Sequence, residues 1–137
     1  MPITRVIAPS VKEPPEGTWS NCLVVDGVAS VAGMTARSTT FDGVEGTDAY
    51  AQSKVILAKI KALIEAGGGV MADVVKVTIY VTDIAQRDQV WKARKEFFTG
   101  NFPVSTLIEI SALADPRMLV EIDAIAHLGA HTAATRK

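Results

Sequence analysis

One cysteine, Cys22, stands in 137 residues, so neither an intrachain disulfide framework nor a cysteine-ligated zinc site can form. Its default place is as a small buried thiol. The two histidines, His127 and His131, have no partners at metal-ligand spacing, and no Ser-His-Asp arrangement is visible. Neither sign of charge dominates: a formal net charge of −1 gives no electrostatic ground for expecting nucleic acid. Basic residues are scattered, and the one internal group, Lys92, Arg94 and Lys95, reads as a solvated helix face. No apolar run is long enough to span a bilayer, and Met1 to Arg5 lacks the apolar stretch of a secretory signal. The expectation is a cytoplasmic protein without a membrane partner. Internal repeats and low-complexity segments are absent.

What is present is the balance of an ordinary globular protein, 48% apolar and 21% charged. The length fits one domain over 1–137, with 129–137 expected to be a flexible tail. Thr4 to Ala8 reads as a short strand, followed by a loop with Pro9, Pro14, Pro15 and Gly17. Asn21 to Val25 and Val28 to Val31 are β-rich runs separated by Asp26-Gly27, a two-residue hairpin signal because both residues tolerate positive φ. After a polar loop from Thr35 to Gly46, Ile56, Ile60, Leu63 and Ile64 fall on one helical stripe. Thr47 or Asp48 caps that helix, and Gly67-Gly68-Gly69 ends it.

Val75, Val77, Ile79 and Val81 alternate with Lys76, Thr78 and Tyr80, as in a half-buried strand. Asp83 and Gln86 form a capping-box pattern for a second helix with Val90, Ala93 and Phe97 inward and Gly100 as its stop. Two strands close the chain. In one, Val104, Thr106, Ile108 and Ile110 share a face and Ser105, Leu107 and Glu109 the other; in the last, Val120, Ile122, Ala124 and Ala126 oppose Glu121, Asp123, Ile125 and His127. Helices with one apolar stripe each pack on one face of a sheet, which makes a two-layer α+β domain. The other face, expected to carry Leu107, Ile125 and Tyr80 beside Glu121 and Ser105, suits burial against copies of the same chain.

Several segments then point the same way. They are Pro15-Glu16-Gly17-Thr18-Trp19-Ser20, Val31-Ala32-Gly33-Met34, Val74 to Asp83, Phe97-Phe98, Phe102-Pro103 and Val120 to Ala126. In order and spacing these resemble the Rid (YjgF-like) family from about Pro15 to Ala126. The resemblance implies a chorismate-mutase-like fold, a mixed sheet with two helices on one face, in a homotrimer with clefts between adjacent subunits. Those clefts hydrolyse reactive enamines or imines such as 2-aminoacrylate to a keto acid and ammonia, with no metal or organic cofactor. Where the family reads Pro-Ala-Arg-Ser/Thr, with the arginine holding the substrate carboxylate, this chain has Pro103-Val104-Ser105-Thr106. Trp19 corresponds to a tyrosine, Gly33 to a glycine whose backbone lines the site, Trp91 to a frequent asparagine and Leu107 to a cysteine or small apolar residue. Glu121 corresponds to the family glutamate.

A serine hydroxyl does not replace a charged bidentate clamp; losing such a contact costs on the order of 2–5 kcal/mol when the partner is left buried and unpaired. Efficient 2-iminopropionate deamination is therefore not expected. Glu121, in a partly apolar cleft, is the candidate acid/base that deprotonates or orients water, the plain alternative being an ion pair with a neighbouring subunit. Arg37, just past the strand carrying Gly33, either swings into the cleft as a replacement cation or faces solvent. Trp19 and Trp91 are aromatic walls for a larger or conjugated ligand, or core and interface residues. Three readings follow: a divergent enamine or imine deaminase-type enzyme, a binding protein that lost the chemistry, and, most weakly, a ribonuclease.

Overall fold

The computed structural model describes residues 2–40 and 42–133. Asp26 and Gly27, at φ 50° and 75°, close a tight antiparallel hairpin between β2 (Cys22–Val25) and β3 (Val28–Met34). A shorter strand than expected, β1 (Thr4–Arg5), pairs with β2, and the chain beyond it dives under the sheet, burying Val6 and Ala8. Helix α1 (Ala49–Ala66) starts at Asp48, whose carboxylate accepts the Ala51 N–H at 2.7 Å. It ends where Gly68 turns to φ 97° and the Gly69 N–H returns to Ile64 O at 2.9 Å, a closure that a side chain at Gly68 would strain.

Strand β4 (Val74–Val81) leads to Asp83, which accepts the Ala85 N–H and starts a short 3-10 turn, Ile84–Gln86. Helix α2 (Arg87–Arg94) follows and stops well before Gly100, because Phe97 and Phe98 continue as turns that bury Phe98. Strands β5 (Val104–Glu109) and β6 (Val120–His127) complete one six-stranded sheet in the order β1-β2-β3-β6-β4-β5. Only β4 and β5, linked through α2, run parallel; the sheet is mixed. Both helices cover one face, over Val77, Ile79, Val81, Ile122 and Ala124, and the core is the fully buried α1 stripe on that layer.

The expected composition of the open face needs one correction. The parallel register sets Ser105 beside Val77, Leu107 beside Ile79 and Glu109 beside Val81, and in-register neighbours share a face. Ser105 and Leu107 thus point to the helix layer: Leu107 packs on the core, and Ser105 Oγ accepts from Arg94 Nη1 at 2.7 Å. The open face carries Val104 and Ile108 instead, with Tyr80 and Ile125. Alternation correctly paired the residues of β5 but did not say which set is covered.

The start of the expected tail makes contact with the rest of the domain. Ala130–Ala133 forms a 3-10 turn, and His131 hydrogen-bonds to the buried Asp73 through both its N–H (2.9 Å) and ring Nδ1 (2.7 Å). Residues 134–137 lie outside the described ones.

Candidate functional site

The antiparallel pairing of β3 with β6 breaks register between Val31 and Met34. This irregularity carries Gly33 past the start of β6, where Glu121 lies against its α-carbon. A Cβ built on Gly33 would sit 2.7 Å from Glu121 Oε2, so the carboxylate occupies the room a side chain would need. Glycine is required there for close approach and not for an unusual φ.

Around that contact lies a cavity of about 240 Å³. The loop before β2 supplies Trp19 and Asn21, the end of β3 and the following loop supply Gly33, Met34, Thr35 and Arg37, α1 supplies Lys59, and the segment entering β6 supplies Met118 and Glu121. Of the residues the sequence singled out, Trp19, Gly33, Arg37 and Glu121 meet here. Trp91 is elsewhere, on the exposed face of α2 with the Arg87 guanidinium 5.9 Å from its ring centroid. Ser105 and Leu107 both stand on the edge strand β5, away from this cavity.

Glu121 is half-buried, and no hydrogen bond from the described residues reaches its carboxylate. Burial pushes its pKa above the usual carboxylate range, and the negative charge of Asp123 adds to the rise. Asp123 itself accepts the Tyr80 hydroxyl at 3.2 Å. A carboxyl held this way releases and regains a proton nearer neutrality, as an acid/base group must. Lining the same cavity are the Trp19 indole, 53% exposed, and the cationic side chains of Lys12, Arg37 and Lys59.

Lys59 is one of several cavity residues, with Lys12, Asn21 and Met118, that sequence reasoning missed. Its place between the buried Ile56 and Ile60 marks the rim of the helix stripe, which signals a half-buried lysine but not what it would touch. In the fold its Nζ donates to Thr35 O at 2.8 Å and Arg37 O at 2.7 Å, fixing the loop that holds Arg37. Among the described residues no cluster of three or more His, Cys, Asp or Glu side chains could hold a metal ion.

A family model described as Endoribonuclease L-PSP matches residues 10–128. Among solved structures, a protein of unknown function from Pseudomonas aeruginosa is 42% identical, with 93% of this chain and 94% of that one covered and a TM-score of 0.83. A Yersinia pestis protein of the conserved Rid family is 25% identical over 93% of this chain and all of that one, with a TM-score of 0.85. A member of the YjgF/YER057c/UK114 family from Mycobacterium tuberculosis is 29% identical over the same shares, with a TM-score of 0.75.

Proposed function

This chain belongs to the Rid/YjgF family of the Endoribonuclease L-PSP model, and on that premise we propose that its cavity binds a small metabolite and performs deaminase-like chemistry on an enamine or imine. Glu121 is the acid/base. An enamine first takes a proton on its β-carbon to become the imine; Glu121 then takes a proton from the water that attacks the C=N carbon and returns one to the leaving nitrogen, so the products are a carbonyl compound and ammonia. The observation that carries this reading is the Glu121 carboxylate seated on Gly33, inside the cavity, with no donor among the described residues and its pKa raised by burial.

Arg37 is the cation for an anionic end of the ligand, in place of the arginine that Ser105 lacks, and Trp19 is the aromatic wall. The chain assembles as a homotrimer in which the open sheet face, with Val104 67% exposed and Ile108 42% exposed, is covered by neighbouring copies. Ser105 and Trp91, both exposed, reach the cleft of an adjacent subunit in that assembly. Leu107, on the helix-facing side of β5, packs against the core behind that cleft.

The test is ammonia release from freshly generated 2-aminoacrylate and from bulkier conjugated enamines, with wild type, Glu121→Gln and Ser105→Arg. Turnover of a bulky enamine that Glu121→Gln removes is the expected result, with 2-aminoacrylate poor until Ser105→Arg is introduced. Fast wild-type turnover of 2-aminoacrylate would refute the role given to Ser105. No ammonia from any enamine above the Glu121→Gln level would leave a binding protein in its place. Sedimentation equilibrium decides the trimer.

A further inference from the structure

Lys59 is built into the cavity wall in an unusual way. It rises from α1 and places Nζ between two main-chain carbonyls, Thr35 O at 2.8 Å and Arg37 O at 2.7 Å, both from residues that line the cavity. A neutral amine owns two N–H donors and one lone pair. With both donors taken by the loop, the lone pair is left for the third direction around nitrogen. Free rotation about the side-chain end, which normally blurs a lysine, is removed by the same two bonds.

Burial lowers the Lys59 pKa from its ordinary value, Arg37 lowers it further, and Glu45 acts against them. Glu121, the carboxylate lining the same cavity, has its own pKa raised by burial and by Asp123. A desolvated lysine beside a second cation is a general route to a nucleophilic amine at moderate pH.

We propose that Lys59 forms a covalent imine with a small aldehyde or ketone held in the cavity. The nitrogen lone pair attacks the carbonyl carbon, and the C=O π electrons move to oxygen. Both amine hydrogens end on that oxygen, which leaves as water, so one carbonyl compound and the Lys59 amine give one C=N bond to Nζ and one water. With an imine as substrate the same attack expels ammonia in place of water. The inference rests on the reading of this cavity as the ligand site, and not on the role given to Glu121.

The test uses the full chain with pyruvate as probe and sodium cyanoborohydride as the external hydride donor, followed by peptide mapping by mass spectrometry. Seven other lysines serve as internal controls, above all the exposed Lys61 two residues along the same helix. The expected result is initial labelling of Lys59 at least about tenfold faster than Lys61 at neutral pH. Lys59→Arg, which keeps donors for the two carbonyls, removes that fast adduct and leaves the slow ones. Labelling of Lys59 no faster than Lys61, or an equally fast adduct elsewhere in Lys59→Arg, overturns the proposal; the wild-type ratio decides even if the variant fails to fold. Ammonia release that depends on Glu121 with no trapping sinks the imine and leaves the deaminase reading. Trapping that persists in Glu121→Gln without any ammonia release does the reverse.

Discussion

Asp73 and Glu121 are two carboxylates withdrawn from water at different parts of the molecule, and their fates are opposite. Asp73, fully buried after α1, would be raised by its burial alone. Hydrogen bonds from the backbone N–H groups of His131 and Val70, the His131 ring and Gly129 outweigh that and hold it at about 2. Glu121 has less burial and, among the described residues, no donor, so burial wins and its pKa rises. Burial by itself therefore does not mark a reactive acid; the supply of donors decides. One carboxylate is spent on anchoring the turn at Ala130–Ala133, and the other is left free to exchange a proton.

The contrast can be broken in four ways. Glu121→Gln is expected to reduce enamine turnover by about 10²–10⁴-fold, the usual worth of a positioned acid/base group, whereas Asp73→Asn leaves turnover per folded molecule unchanged. An equal loss in both would erase the distinction. Gly33→Ala comes next. Its new Cβ collides with the end of the Glu121 side chain, which swings aside cheaply, so activity falls by about 10²-fold while unfolding free energy moves by less than about 1 kcal/mol. Denaturant titration beside the ammonia assay separates the two effects.

Third, the depressed Asp73 pKa is a stability statement. A carboxyl moved from 3.8 to about 2 stabilises the fold above its unfolded value, and that stabilisation is lost as pH falls from about 4 to about 2. At roughly 1.4 kcal/mol for each tenfold change in proton affinity, it is worth about 2 kcal/mol. Asp73→Asn should lose that much at pH 7, and the gap from wild type should close on acidification. A gap independent of pH would show that the carboxylate charge is not what counts.

The smallest effect has the opposite sign. The raised pKa of Glu121 means that its ionised form opposes folding, a penalty absent below its unfolded pKa and complete once pH has risen through the folded one. Glu121→Gln should therefore melt slightly higher than wild type at pH 8 and level with it at low pH. A lower melting temperature at pH 8 would mean that the carboxylate is held by partners after all.

Much of this fold could be read before the chain was folded. Asp26-Gly27, the Ile56-Ile60-Leu63-Ile64 stripe, the Asp48 cap and the alternation of β6 are local signals, set by φ preference and periodicity over a few residues. The early end of α2 was harder, because Phe98 finds a buried place in a turn that the helical pattern does not show. In the cavity, Gly33 and Glu121 were legible only through the family resemblance; nothing local says that one makes room for the other. Trp91 and Leu107 aligned with cleft positions, yet helix packing and the parallel β4–β5 register turn them elsewhere in the single chain.

By itself the sequence determined the elements, their caps and turns, and the two sets of residues on each strand, since these depend on neighbours within a few positions. It also limited the titratable groups available for chemistry. The tertiary structure alone decided which set on β5 is covered, that Lys59 meets the Thr35 and Arg37 carbonyls, and that Asp73 is satisfied by His131 while Glu121 goes without. Those outcomes turn on which donors and acceptors arrive from distant parts of the chain, and a pKa or a nucleophile is made by that arrival.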